Sequence, residues 1–194
     1  MVYRMWILTS FFVFSTLIGV EILHAEDVPH LYVDLNAGYS LYVASDLNGG
    51  EGNGFGLNLG YRFVPRFAAQ ISYLGAIVDG EGGLISKVEM DQVHFLTVGG
   101  RVSFWPGTKD RHEVFSLLGM GMGWVYGKEG GQSFSKSGFA VRWDIGYLYH
   151  LSDDFGVGVS YDAQVATSLL DIDQDGENEV GILQSFLWVG TYKF

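Results

Sequence analysis

Three groups of residues have the types and spacing to do chemistry. The first is Asp171-Ile172-Asp173-Gln174-Asp175-Gly176-Glu177-Asn178-Glu179. Carboxylates at the first, third and fifth positions can converge on one hard cation, Gly176 permits a sharp turn, and Glu179 stands where a calcium loop binds through water. The twelfth position, which needs a bidentate carboxylate, is Ile182, and no helices flank the run. Asp171, Asp173, Asp175 and Glu179 are therefore expected to make a weak calcium site or a plain acidic loop tip. The second group is His150-Leu151-Ser152-Asp153, where an imidazole close to a hydroxyl could act as a base on a nucleophile. Its plain reading is a strand end entering a tight turn. The third is a set of charges of both signs set inside apolar alternation: Asp34, Arg62, Arg101, Arg142, Asp144, Asp162 and Lys193. His94 and His112 are isolated by comparison.

The segments that carry the third group alternate with a period of two. In 139–151, Phe139, Val141, Trp143, Ile145, Tyr147, Tyr149 and Leu151 share one face, and Arg142, Asp144, Gly146, Leu148 and His150 share the other. That is the signature of a strand with one apolar face. The same rule runs through 31–41, 55–63, 67–77, 94–105, 114–126 and 155–165. In the last segment, 181–194, Leu183, Leu187 and Val189 fall on the otherwise polar side. Eight such segments are each near the length that crosses a bilayer when tilted. Their connections alternate between long and short. Runs such as 43–54, 127–136 and the acidic run after Thr167 face tight turns such as Val64-Pro65-Arg66 and Ser152-Asp153-Asp154.

Composition narrows the function. The 194 residues hold 11 Lys and Arg against 22 Asp and Glu, a formal charge of −11, which excludes a nucleic-acid binder. There is no cysteine, so no disulfide framework, thiol nucleophile or lipidated cysteine. Only 17% of residues are charged while 48% are hydrophobic, and 28 glycines would pack a soluble core poorly. Residues 1–25 combine Arg4, the apolar run 5–20 and a small residue, Ala25, at a cleavage point, and so read as a cleaved signal peptide before a domain over 26–194. Strands that cross lipid must satisfy every backbone group internally, which requires a closed barrel. The fold class expected is all-β: an eight-stranded antiparallel up-and-down transmembrane β-barrel, its apolar faces toward lipid and the charges inside. A soluble barrel of the lipocalin kind would reverse those faces. Trp105 and Trp124 are expected at opposite aromatic girdles. Asp46, Glu51, Asp79, Glu81, Glu89 and Asp91 make the long-loop end acidic, whereas Arg66, Lys109 and Arg111 lie at short turns.

With the leader, the alternating segments, Gly60-Tyr61-Arg62-Phe63, the 119–123 glycine-methionine run and the ending Trp188-Val189-Gly190-Thr191-Tyr192-Lys193-Phe194, the chain resembles the small outer-membrane barrels typified by the OmpA transmembrane domain, OmpX and OmpW. The resemblance spans 30–194 and is specific for architecture rather than role. It implies residence in the bacterial outer membrane, outer-membrane lipid and lipopolysaccharide as surroundings, a monomer, and recognition of Phe194 by the assembly machinery. It implies a structural or surface-interaction role without enzymatic activity, with a side-chain-filled lumen and no cofactor beyond the weak calcium above. The alternatives are a conduit for small hydrophobic solutes and a lipid A-modifying hydrolase. His150-Leu151-Ser152 looks distantly like the His-x-Ser stretch of outer-membrane lipid A deacylases, but Gln164 stands where that family has an acid, so the triad lacks its orienting carboxylate.

Overall fold

Alternation of this kind leaves each strand one greasy and one polar face, and pairing the first strand with the last hides the polar face from lipid. A computed structural model describes residues 31–44, 50–79, 88–104, 111–129, 132–167 and 180–194. They form eight strands: β1 (Leu31–Ala44), β2 (Gly50–Val64), β3 (Phe67–Asp79), β4 (Val88–Phe104), β5 (His112–Glu129), β6 (Gln132–His150), β7 (Phe155–Thr167) and β8 (Val180–Lys193). All neighbours are antiparallel, and β8 pairs with β1 to close an up-and-down barrel. The signal-peptide reading of 1–25 lies outside the described residues.

The register fixes the tilt. Asp34 leads through Asn58, Ser72, Thr97, Gly121, Ala140 and Ala166 to Gly181, which pairs with Ala44. One circuit thus advances from residue 34 to residue 44, a shear of ten. In an eight-stranded barrel such stagger goes with strands inclined by roughly 35–45°. Side chains that are not register partners can therefore meet across the interior.

Orientation is decided by burial. Arg142 is 1% exposed and Asp144 2%, whereas the intervening Trp143 is 45% exposed. Leu35, Leu57, Ile71, Val98, Met120, Tyr147 and Phe186 likewise line the outside. The apolar face meets lipid and the polar face is enclosed.

Two expectations are corrected. The strands run 13 to 19 residues, beyond the roughly 9–11 needed to span. Gly50–Gly54 is strand, paired with β1 and β3, and most of 127–136 belongs to β5 and β6, which pair as far as Glu129 and Gln132. These stretches look like loop because they are rich in glycine and polar residues. At Gly52 a Cβ would collide with the carbonyl oxygen of Ile77, so the glycine there serves close strand approach rather than a turn. The inward face is also not uniformly polar. Leu183, Leu187 and Val189 are buried inside, together with Tyr42, Leu74, Phe95 and Val125.

Candidate functional site

The interior is built from two layers. One end of the barrel holds the short turns and residues 31 and 194; here it is called the turn end, and the other the loop end. Toward the turn end lie Tyr32 and Asp34 of β1, Arg62 of β2, Arg101 and Ser103 of β4, Glu113 of β5 and His150 of β6. Arg101 spans the lumen: Nη1 donates to Asp34 Oδ2 at 2.9 Å and Nη2 to Glu113 Oε1 at 2.9 Å. Its guanidinium lies 3.9 Å from the Phe115 ring centroid and 5.0 Å from that of Tyr32, sandwiched where cation–π attraction replaces part of its lost hydration. Arg62 Nη2 also donates to Glu113 Oε1, at 2.9 Å, and its Nη1 to the Pro65 carbonyl at 3.1 Å. Ser103 Oγ donates to the same Glu113 oxygen at 2.7 Å. His150 Nε2 lies 2.9 Å from the other, Glu113 Oε2, and Lys193 Nζ 3.5 Å from His150 Nε2.

A second cluster sits above it. Arg142 Nε donates to Asp162 Oδ2 at 2.5 Å, Nη2 to Asp144 Oδ2 at 3.1 Å, and Nη1 crosses to Asn58 Oδ1 on β2 at 3.2 Å. Gln164 Nε2 donates to Asp162 Oδ1 at 3.0 Å. In register Arg142 opposes Gln164 and Asp144 opposes Asp162, so the Arg142–Asp162 contact is diagonal. Pairing and hydrogen bonding allow such charges to stay buried, since an isolated one would cost several kcal/mol (order of magnitude). Inward glycines make room for the bulk: a Cβ at Gly60 would strike the Tyr32 ring, and one at Gly146 the Phe115 ring.

Toward the loop end the lining turns apolar. Tyr42, Leu74, Ala76, Val78, Val93, Phe95, Val125, Ala140, Ala166, Leu183 and Leu187 form one buried cluster. A hydrogen bond between Ser40 Oγ and Ser185 Oγ, 2.7 Å long, lies at this end.

Asp34, Arg62, Arg101, Arg142, Asp144 and Asp162 are all buried in the lumen, and Lys193 is half-buried at its turn end. Glu113 escapes a reading that begins β5 at Val114, although it shares the inward parity of Phe115, Leu117 and Gly119. A second signal was available. The seven residues carry four cations and three anions, and Glu113 makes the set four against four. His150 belongs to this network rather than to a nucleophilic pair, and Ser152 Oγ instead accepts the Phe155 N–H at 3.0 Å within the turn. Asp171, Asp173, Asp175 and Glu179 lie outside the described residues, as do Asp46, Glu81, Trp105 and Lys109. Among the described residues no group of three His, Cys, Asp or Glu could hold a metal ion.

A closed antiparallel barrel with lipid-compatible outer walls and a charged interior defines a transmembrane β-barrel. The outer membrane protein beta-barrel domain family model matches residues 10–183, and the chain belongs to that family. The protein resides in the bacterial outer membrane. Similar solved structures include Neisserial surface protein A, at 11% identity and a TM-score of 0.66 over 84% of this chain and 97% of that one. Ail of Yersinia pestis, in complex with the heparin analogue sucrose octasulfate, has 19% identity and a TM-score of 0.53 over 85% and 99%. The outer membrane protein OprG of Pseudomonas aeruginosa has 13% identity and a TM-score of 0.54 over 85% and 96%. These likenesses show the shared fold. No curated protein matches the chain.

Proposed function

We propose that the protein is a non-catalytic outer-membrane barrel with a closed lumen, whose role is structural or surface-interactive and is expressed at its acidic loop end. The observation that carries this reading is the bridge from Asp34 through Arg101 to Glu113, which ties β1, β4 and β5 across the interior. Arg142 does the same between β6, β7 and β2. The interior of an eight-stranded barrel is narrow enough for side chains to fill, and the apolar cluster toward the loop end fills a second layer. Glu51 and Asp91 stand exposed at the loop end, with Lys128 lying 3.9 Å from Asp91. Divalent bridging from this acidic rim to lipopolysaccharide phosphates accords with that charge. Calcium held by Asp171, Asp173, Asp175 and Glu179 would add to it, and a melting shift in millimolar calcium that vanishes in Asp173→Ala checks that part.

Planar-bilayer recording of the purified protein tests the closed lumen: the expected result is no resolvable unitary conductance. Steady openings would replace this reading with a conduit. Lipid A mass spectra identical with and without the gene are expected of a non-catalytic barrel.

A further inference from the structure

The lipid-facing wall carries two histidine clusters, one toward each end, and they differ in what they leave unused. Toward the loop end, His94 is fully engaged. Its Nδ1 lies 2.7 Å from the Tyr73 hydroxyl and its Nε2 3.2 Å from Gln92 Oε1, with the Tyr126 ring edge-on at 5.6 Å. Toward the turn end, His112 spends one nitrogen only on the described residues: Nδ1 lies 2.6 Å from the Tyr147 hydroxyl, and the ring stands edge-on to Tyr149 at 5.3 Å. Beside it, Arg111 donates through Nη1 to the Tyr149 hydroxyl at 3.4 Å. An arginine has five N–H donors, so among the described residues most of this guanidinium remains available, as does His112 Nε2. Both side chains are exposed, and among the described residues no carboxylate forms an ion pair with either. The cluster is held in place, because the Arg111 carbonyl accepts the His150 N–H at 2.7 Å and His112 is the register partner of Tyr149.

The height of this cluster in the membrane selects the ligand. Tyr147, Tyr149, Phe155, Tyr192 and Phe194 ring the turn end on the outside, the arrangement expected where acyl chains give way to headgroups. Short turns face the periplasm in such barrels, so the leaflet at this level is built of glycerophospholipids. A guanidinium beside an imidazole matches the oxygens of a phosphodiester. Among the described residues the exposed acids at this end, Asp153 and Asp154, belong to the next turn, on the β7 side of β6, where the Asp154 carbonyl is tied to the Lys193 N–H at 2.8 Å. The geometry points to Arg111 and His112, seated on Tyr149 and Tyr147, as a binding site for the phosphodiester of an anionic glycerophospholipid in the periplasmic leaflet. This site lies on the outer wall and stands whether or not the lumen conducts.

The test uses the purified full chain in nanodiscs of phosphatidylcholine with or without phosphatidylglycerol. Native mass spectrometry counts the lipids retained, and the heat-modifiable gel shift reports folding. Wild type is expected to retain phosphatidylglycerol in preference to phosphatidylcholine. Arg111→Gln should lower that preference about fivefold, the effect of one cation at a membrane surface, and His112→Gln by less. Arg111→Lys should keep part of it, and Lys128→Gln, at the loop end, should leave it intact. A wild type with no preference, or a folded Arg111→Gln with the preference unchanged, overturns the proposal. If Arg111→Gln fails to fold, the Arg111→Lys variant decides by the same ratio. Inorganic phosphate that raises the melting temperature in detergent as much as phosphatidylglycerol does would also overturn it, by assigning the site to the free ion.

Discussion

The two halves of the lumen fill the same narrow space by different physics. Toward the turn end, the filling is ionic: Glu113 gathers Arg62, Arg101, Ser103 and His150 around one carboxylate. Toward the loop end it is steric, with Phe95, Leu74, Leu183 and Tyr42 in contact inside a shell of small residues. The ionic half is directional. Each arginine reaches partners on particular strands, so a slipped register leaves charges unpaired, and the network specifies pairing more than it adds stability. The apolar half is tolerant of register but sensitive to volume, because it gains by burial and close packing. A barrel in lipid has no hydrophobic core of the ordinary kind, and this interior divides specificity and packing between its two ends.

That division can be broken or sharpened by substitution. The largest effect is expected for Glu113→Ala, which among the described residues leaves Arg62 without an acidic partner and Arg101 with Asp34 alone, and should destabilise by about 3–5 kcal/mol, measured by urea unfolding from lipid vesicles. Phe95→Ala should cost about 3 kcal/mol through the cavity it leaves. On the proposed closed lumen, neither single variant should conduct in a planar bilayer, since the other half would still fill its layer; the double variant should. If Phe95→Ala conducts alone, the ionic half is not a seal and the comparison fails. Gly60→Ala forces a methyl group against the Tyr32 ring and should cost about 1–3 kcal/mol. Gly190→Ala, on the outside with open space around it, should be neutral or stabilise slightly, by less than about 1 kcal/mol. Asp144→Asn should cost less than Glu113→Ala. Two acids, Asp144 and Asp162, flank the single cation Arg142, and Asp144 Oδ1 has no hydrogen-bond partner among the described residues. A loss at Asp144 equal to that at Glu113 would show that the upper cluster is as tightly coupled as the lower.

Much of this was legible in the chain because strand parity is a local property. Arg142 and Asp144 read as sharing one face, and Trp143 as on the other, from their immediate neighbours alone; the leader, the sorted loops and the aromatic C-terminus are what pointed the charged face inward. Leu183, Leu187 and Val189 defied that reading. Parity assigns a side, but the rule that the inner side is polar is an assumption about the lumen: Phe115, Leu148 and Val189 are buried beside the charges toward the turn end, and toward the loop end the lining is mostly apolar. The strand ends were misplaced for a related reason. Gly50–Gly54 has loop composition, yet the close approach of the Ile77 carbonyl at Gly52 requires glycine. Glu113 was lost with the strand end that carries it, although the charge imbalance of the remaining set pointed to a missing acid.

The sequence by itself determined the strand number and which residues share each face, since these follow from period-two patterning; burial in the folded barrel decided which face is inside. Only the tertiary structure decided which charges meet. Asp34 and Glu113 are 79 positions apart and share Arg101 because strand tilt and a shear of ten bring β1, β4 and β5 together at one height. No local pattern encodes that height, which depends on the closure of the whole barrel.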